Sequence, residues 1–258
     1  MGFTINNTAV VMTLHNRPEY TSAVLAALLQ CEGIEDLPVY LMCEPVNQAV
    51  IDVAKEFAAE RSKLEQPCQV NVYTEPAGCN MNTAYALATG FSVCDRVIAL
   101  EDDTVPGRDF ILFCQWALDT YEDDKSVFSV SGYQRTEENE LHRTDEVIRE
   151  NWFTPWGWAT WRDRYEEVYT PWPSRDDQIS WDTVLHRGKL CDRCEIRPIV
   201  ARIQNIGAEG GLHVPNAKWH AQHHLNKHWI ESIYEEPTEE FVEVSADTTN
   251  GLRANHPC

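Results

Sequence analysis

Four apolar residues in a row, Val97, Ile98, Ala99 and Leu100, run straight into three carboxylates, Glu101, Asp102 and Asp103. A continuous apolar run, rather than an alternating one, is the pattern of a strand buried on both faces of a parallel sheet. Parallel strands need crossover connections, so this run points the chain towards an α/β architecture. Open sheets of that kind bind ligands beyond the carboxyl ends of their strands, which is where the three acids lie. Crowded carboxylates repel one another unless a cation or a set of donors neutralises them. A hard divalent metal shared with a substrate phosphate meets that need, and a solvated acidic loop is the bland alternative.

The segments around this run repeat the alternation. Strands are predicted at Ala9 to Leu14, Val39 to Cys43, Gln69 to Tyr73, Arg96 to Leu100 and Val127 to Ser131. Between them helical spacing follows Pro18 (Tyr20, Val24, Leu25, Leu28) and covers about Gln48 to Arg61, Asn82 to Phe91 and Asp109 to Tyr121. Strand and helix in turn predict a mostly parallel central sheet, covered by helices on both faces and joined by right-handed crossovers. After Gly132 the character changes. Residues 134–150 are polar and charge-rich and read as a surface excursion, and six of the nine Trp then fall between Trp152 and Trp181. This suggests one continuous domain with a nucleotide-binding half over about 1–132, an acceptor-binding half over about 133–235, and an acidic, poorly ordered tail over 236–258.

Composition narrows the function classes. With 41 acids against 21 bases the net charge is −20, which disfavours a surface built to hold nucleic acid. No stretch approaches the roughly 20 apolar residues of a membrane span, and the first residues lack the basic start and apolar core of a signal peptide. A cytoplasmic location is the expectation. Nine cysteines cannot all pair within the chain, and Cys191-Asp-Arg-Cys194 lacks the second pair that a zinc knuckle needs.

Several motifs accompany the acidic triplet. Leu14-His15-Asn16-Arg17 follows the first strand, where an Arg can contact a nucleotide base or phosphate or bond a helix carbonyl. Trp156-Gly157-Trp158 sets a glycine between two indoles, suited to a shaped pocket whose ring faces meet sugar C–H faces. Arg162 follows as a diphosphate partner or a solvated helix residue. Trp181-Asp182 sets an acid beside an apolar ring, as a general base or a helix cap. A glycine-rich stretch, Asn205 to Gly211, closes on His213, and such loops can fold over phosphates. His220, His223, His224 and His228 have helical spacing, either as a metal site or as an exposed His-rich helix.

In this order, from about Ala9 to His213, the set resembles the metal-dependent GT-A glycosyltransferases of the N-acetylglucosaminyltransferase I type. The matching elements are Arg17 after strand one, Glu101-Asp102-Asp103 with Asp109-Phe110, Val130-Ser131, Trp156-Gly157-Trp158, Trp172-Pro173, Trp181-Asp182, Arg197-Pro198 and the loop ending at His213. The resemblance implies a GT-A fold and an inverting transfer from a UDP-sugar, of the UDP-GlcNAc or UDP-glucose type, to a hydroxyl on a glycan. It implies Mn²⁺ (or Mg²⁺) held by Asp103, and Asp182 as the general base. Arg17, Glu44, Asn82, Glu101, Asp102 and His213 would bind the donor, and Trp156, Gly157, Trp158 and Trp181 would shape the acceptor pocket. Two departures stand out: the family has Asp where Glu44 lies, and its His-Tyr-Arg-Trp helix start is replaced around Asn80-Met-Asn82-Thr. A modified base of phage DNA is an alternative acceptor, and a non-catalytic carbohydrate-binding protein is an alternative class.

Overall fold

The computed structural model describes residues 7–134, 144–169, 172–186, 192–210, 214–224, 229–233 and 238–244. Among them the first half alternates as the apolar runs require. Strands β1 (Thr8–Leu14), β2 (Val39–Cys43), β3 (Cys68–Val72) and β4 (Arg96–Glu101) are connected by helices α1 (Pro18–Leu28), α2 (Gln48–Lys63) and α3 (Gly78–Phe91). They pair in parallel in the order β3-β2-β1-β4. Alternate side chains of one strand enter opposite cores, as the two-residue period demands. Val10, Met12 and Leu14 of β1 and Ile98 and Leu100 of β4 face one apolar cluster, with α1, α2 and α4 (Phe110–Thr120). Val11, Val97 and Ala99 face the other, with α3. The sheet is therefore covered on both sides, as the runs predict.

Beyond β4 the chain makes a short β5 (Thr104–Pro106), then α4 and β6 (Val127–Ser131). The second half adds β7 (Glu146–Glu150), β8 (Trp158–Trp161), α5 (Arg162–Val168), α6 (Trp181–Val184), β9 (Cys194–Pro198), β10 (Ile203–Asn205), α7 (Ala217–His223), α8 (Ile230–Ile233) and β11 (Val242–Glu243). These strands widen the sheet to the order β11-β7-β9-β6-β8-β4-β1-β2-β3. β8 runs antiparallel between β4 and β6, so one sheet spans both halves of the sequence. β5 and β10 form a separate antiparallel ribbon.

Two predicted regions differ. The excursion at 134–150 contains β7, whose Val147 and Ile148 are buried against β9. The tail is likewise recruited: Phe241 packs on Phe113 and Trp116, and β11 pairs with β7. Both segments hold only two or three apolar residues among many charges, too few for periodicity to reveal them.

Candidate active site

The carboxyl ends of β1, β2 and β4 open into a cavity of about 780 Å³, within the size range of small-molecule sites. Its polar wall begins with the acidic triplet. Glu101 ends β4, and Thr104 closes the turn behind it, its hydroxyl accepting from the Glu101 N–H (2.9 Å) and donating to the Glu101 carbonyl (3.0 Å). Asp102 and Asp103 occupy that turn and are buried. The loop after β10 secures it from the far side, the Ile206 N–H donating to the Asp103 carbonyl at 2.8 Å.

Arg17 meets both aspartates. Its guanidinium pairs with Asp102 and lies 2.9 Å from Asp103 Oδ2. It also lies over the Tyr20 ring, 5.4 Å from the centroid. Gly207 seals this cluster: a Cβ there would stand 2.1 Å from Asp103 Oδ2 and 3.3 Å from Arg17 Nη1. Expected as a nucleotide contact, Arg17 is thus first a counter-ion to the acidic pair. Burial works against its charge, yet Asp103 and Asp102 hold its pKa above the ordinary guanidinium value.

One Arg does not neutralise the wall. Burial pushes Asp103 up to about 6, with Arg17 pulling it back only in part. Burial also raises Glu101 well above the usual carboxylate range, and Asp103, Asp102 and Asp182 add to the rise. Asp103 Oδ1 is buried without a hydrogen-bond partner. An orphaned carboxylate oxygen in a surplus of negative charge fits a divalent cation. Among the described residues no three His, Cys, Asp or Glu side chains converge into a ligand cage. A cation here would therefore rest on Asp103 with oxygens from outside the protein, as suits a small metal shared with phosphates.

Glu44, expected at the donor base, lines the cavity but already has partners. Its buried carboxylate accepts from the N–H groups of Ala77 and Gly78, both at 2.9 Å. This starts α3 at Gly78, a turn before the predicted Asn82, because the helix's first donors are satisfied by a side chain from β2. Asn82 lines the cavity and accepts from the Tyr73 hydroxyl at 3.1 Å. His213 and His228 lie outside the described residues, as does Cys191.

The opposite wall comes from the second half. Trp181 and Asp182 open α6 and line the cavity, with Asp182 close enough to Glu101 to raise it. The Cys79 thiol, at the start of α3, also faces this space. Burial first, then Glu101 and Asp182, push it up to about 12, so it stays protonated and is a poor nucleophile. Trp156 lines the cavity beside His224, ring centroids 4.5 Å apart. Trp152 and His186, at 4.0 Å, line it too.

Trp158 does not present a face to the cavity as expected. It is 2% exposed and stacks between Phe128 and Trp181 in the core, because β8 directs alternate residues to opposite faces. Gly157 has φ +59 and makes its close approach to Ile203, not to a ligand. Arg162 sits beyond the amino end of β4, where it bonds Asp95 (2.6 Å) and the Cys94 carbonyl (2.8 Å), far from any diphosphate held at the strand's other end.

Other wall-forming residues gave little or no sequence signal. Buried Glu195 accepts from the Thr154 N–H (2.7 Å) and hydroxyl (2.9 Å), fixing the Trp152–Trp156 segment. His220 bonds Asn205 at 2.9 Å and His223 bonds the Trp219 carbonyl at 2.7 Å, so the His-rich helix braces the wall. A buried acid in a β-strand and a His bonded to an Asn have no sequence signature; only the helical spacing of the histidines was visible.

The sequence matches the model of the GNT-I family over residues 4–233. The chain belongs to the GNT-I family. Among curated proteins this GNT-I family member is 30% identical over 221 residues to the alpha-1,3-mannosyl-glycoprotein 2-beta-N-acetylglucosaminyltransferase of Arabidopsis thaliana. The match covers 78% of this chain and 47% of that protein, so the chain spans about half the length of the curated relative. Among solved structures, S. aureus TarS residues 1–349 in complex with UDP-GlcNAc aligns with TM-score 0.55 and 8% identity, covering 76% of this chain and 57% of that one. GalNAc-T7 with UDP, GalNAc and Mn²⁺ aligns with TM-score 0.51 and 13% identity, covering 76% and 43%. At such identities the likeness is one of fold, and that fold is the GT-A type.

Proposed function

We propose that this GNT-I family member is a metal-dependent, inverting glycosyltransferase that moves a sugar from a UDP-sugar, of the UDP-GlcNAc or UDP-glucose type, to a hydroxyl of a glycan. The observation that carries the reading is a single cavity in which the Arg17–Asp102–Asp103 cluster faces Asp182. Asp103 would hold Mn²⁺ or Mg²⁺ through its unpartnered Oδ1, while Arg17 keeps the two aspartates together. When bound, such a cation supplies charge neutralisation for the leaving diphosphate. Glu101 and Asp102 face the donor ribose and sugar. Asp182 takes the proton of the acceptor hydroxyl, whose oxygen then forms the bond to the anomeric carbon as the bond to the diphosphate breaks on the opposite face. A protonated Cys79 beside Asp182 offers no competing covalent route, which agrees with one direct displacement. Trp156 and Trp152 supply ring faces for the acceptor.

The deciding measurements pair binding with turnover. Asp182→Asn should keep the melting-temperature rise given by UDP-GlcNAc or UDP-glucose with Mn²⁺, and lose sugar transfer read by mass spectrometry. Full transfer by that variant would sink the assignment of the base. Asp103→Asn should lose the Mn²⁺-dependent part of the rise, and an unchanged Mn²⁺ response would remove Asp103 as the anchor.

A further inference from the structure

Asn80 stands at the first turn of α3, in the stretch where this sequence departs from its family's helix start, and its side chain is 6% exposed. Its amide is fully engaged with one segment of the second half. Nδ2 donates to the carbonyls of Ser174 (3.0 Å) and Ile179 (3.1 Å), and Oδ1 accepts from the Trp181 N–H (3.0 Å). The Asn80 backbone carbonyl accepts from the Trp172 indole N–H at 2.8 Å. Four hydrogen bonds thus converge on one residue from a segment that has little regular structure before α6. The indoles of Trp172 and Trp181 stack at 5.7 Å and 11°, completing the fastening.

The pattern of bonds separates this arrangement from ordinary packing. Trp181 opens α6, and the N–H held by Asn80 belongs to the residue just before Asp182. α3 itself is anchored on the donor side by Glu44 at Ala77 and Gly78, and it carries Asn82 into the cavity. One turn of helix therefore ties the donor wall to the backbone that carries the proposed base. An Asn suits this position because it combines two amide donors with a carbonyl acceptor, whereas an Asp has no donor for the two carbonyls.

We infer that Asn80 is a positioning residue that sets Asp182 against the bound donor by holding the 174–181 segment on α3. The inference rests on the reading of Asp182 as general base. Asn80 touches neither substrate in this scheme; its effect passes through Trp181 to Asp182. Small misplacements of a catalytic group cost far more in turnover than in binding.

The test compares Asn80→Ala, Trp172→Phe and Asp182→Asn in the full chain, with UDP-GlcNAc and Mn²⁺ as donor and a panel of methyl mannosides as acceptor. Asn80→Ala should lower kcat on the order of 10- to 100-fold with the donor KM within about twofold. Hydrogen exchange should quicken in the 172–185 segment alone. Trp172→Phe, which removes only the indole donation and keeps the stacked ring, should show a smaller loss in the same direction and keeps the inference testable should Asn80→Ala fail to fold. Wild-type kcat in Asn80→Ala, or in Trp172→Phe where only that variant folds, would overturn it. So would a loss confined to donor KM, or exchange that quickens across the whole sheet. If Asp182→Asn keeps its transfer, the reading of the base fails first; if it loses transfer while the Asn80 variant does not, the positioning inference alone fails.

Discussion

His224 lies edge-on to the indoles of Trp156 and Trp219, and its carbonyl accepts from the Tyr133 hydroxyl at 2.9 Å. Burial, then the neighbouring His220 and His223, lower its pKa to about 4. The unfolded chain therefore binds this proton at a pH where the folded chain does not, and stability falls as pH drops from about 6.5 towards 4. The loss in urea midpoint between roughly pH 7 and pH 5 should be smaller in His224→Gln than in the parent chain. Equal losses would show that this imidazole stays free to protonate. Residue-scale reading of the sequence reached as far as local chemistry allows. Three acids at a strand end and an Arg at a helix start were visible, and they meet. That Glu44 would start α3, or that Asn80 would hold a segment about 100 positions away, was hidden, because the partners are backbone groups that every residue carries.

Elements differ in how much of themselves they announce. β1, β2, β4 and β6 are buried apolar runs and can be read directly. β7 and β11 are charge-rich strands at one margin of the sheet, stabilised by partners instead of by their own pattern. β8 was read as an aromatic pocket, because Trp158 in a strand and Trp158 in a binding wall have the same sequence. The bend before β8 depends on Gly157: a Cβ there would lie 2.4 Å from Ile203 in β10, on a backbone with φ +59. Gly157→Ala should cost about 2 to 4 kcal/mol, from overpacking and left-handed strain together. Equilibrium denaturation measures it, and a cost below about 0.5 kcal/mol would mean that β10 yields without resistance.

For the whole molecule, charge is the dominant fact. A net −20 spread over 258 residues repels itself in the folded state, and salt screens that repulsion. The melting temperature should rise from low salt to physiological ionic strength; a fall would show that ion pairs such as Arg149–Glu243 and Arg96–Asp119 outweigh the repulsion. No helix among the described residues is long and apolar enough to cross a membrane. The division into a donor half and an acceptor half was legible from the change in composition after Gly132. Their interleaving was not, since it depends on which strand lies beside which. β8 comes from the second half yet pairs with β4, with Trp158 opposite Ala99, two residues before the acidic triplet. That insertion limits how enzymes of this type can be recombined. A chimera that keeps the donor side and exchanges the acceptor side at Gly132 would leave the β4 edge bare and prone to aggregate. A workable graft has to carry the native β8 across the junction and begin its exchange beyond Trp161.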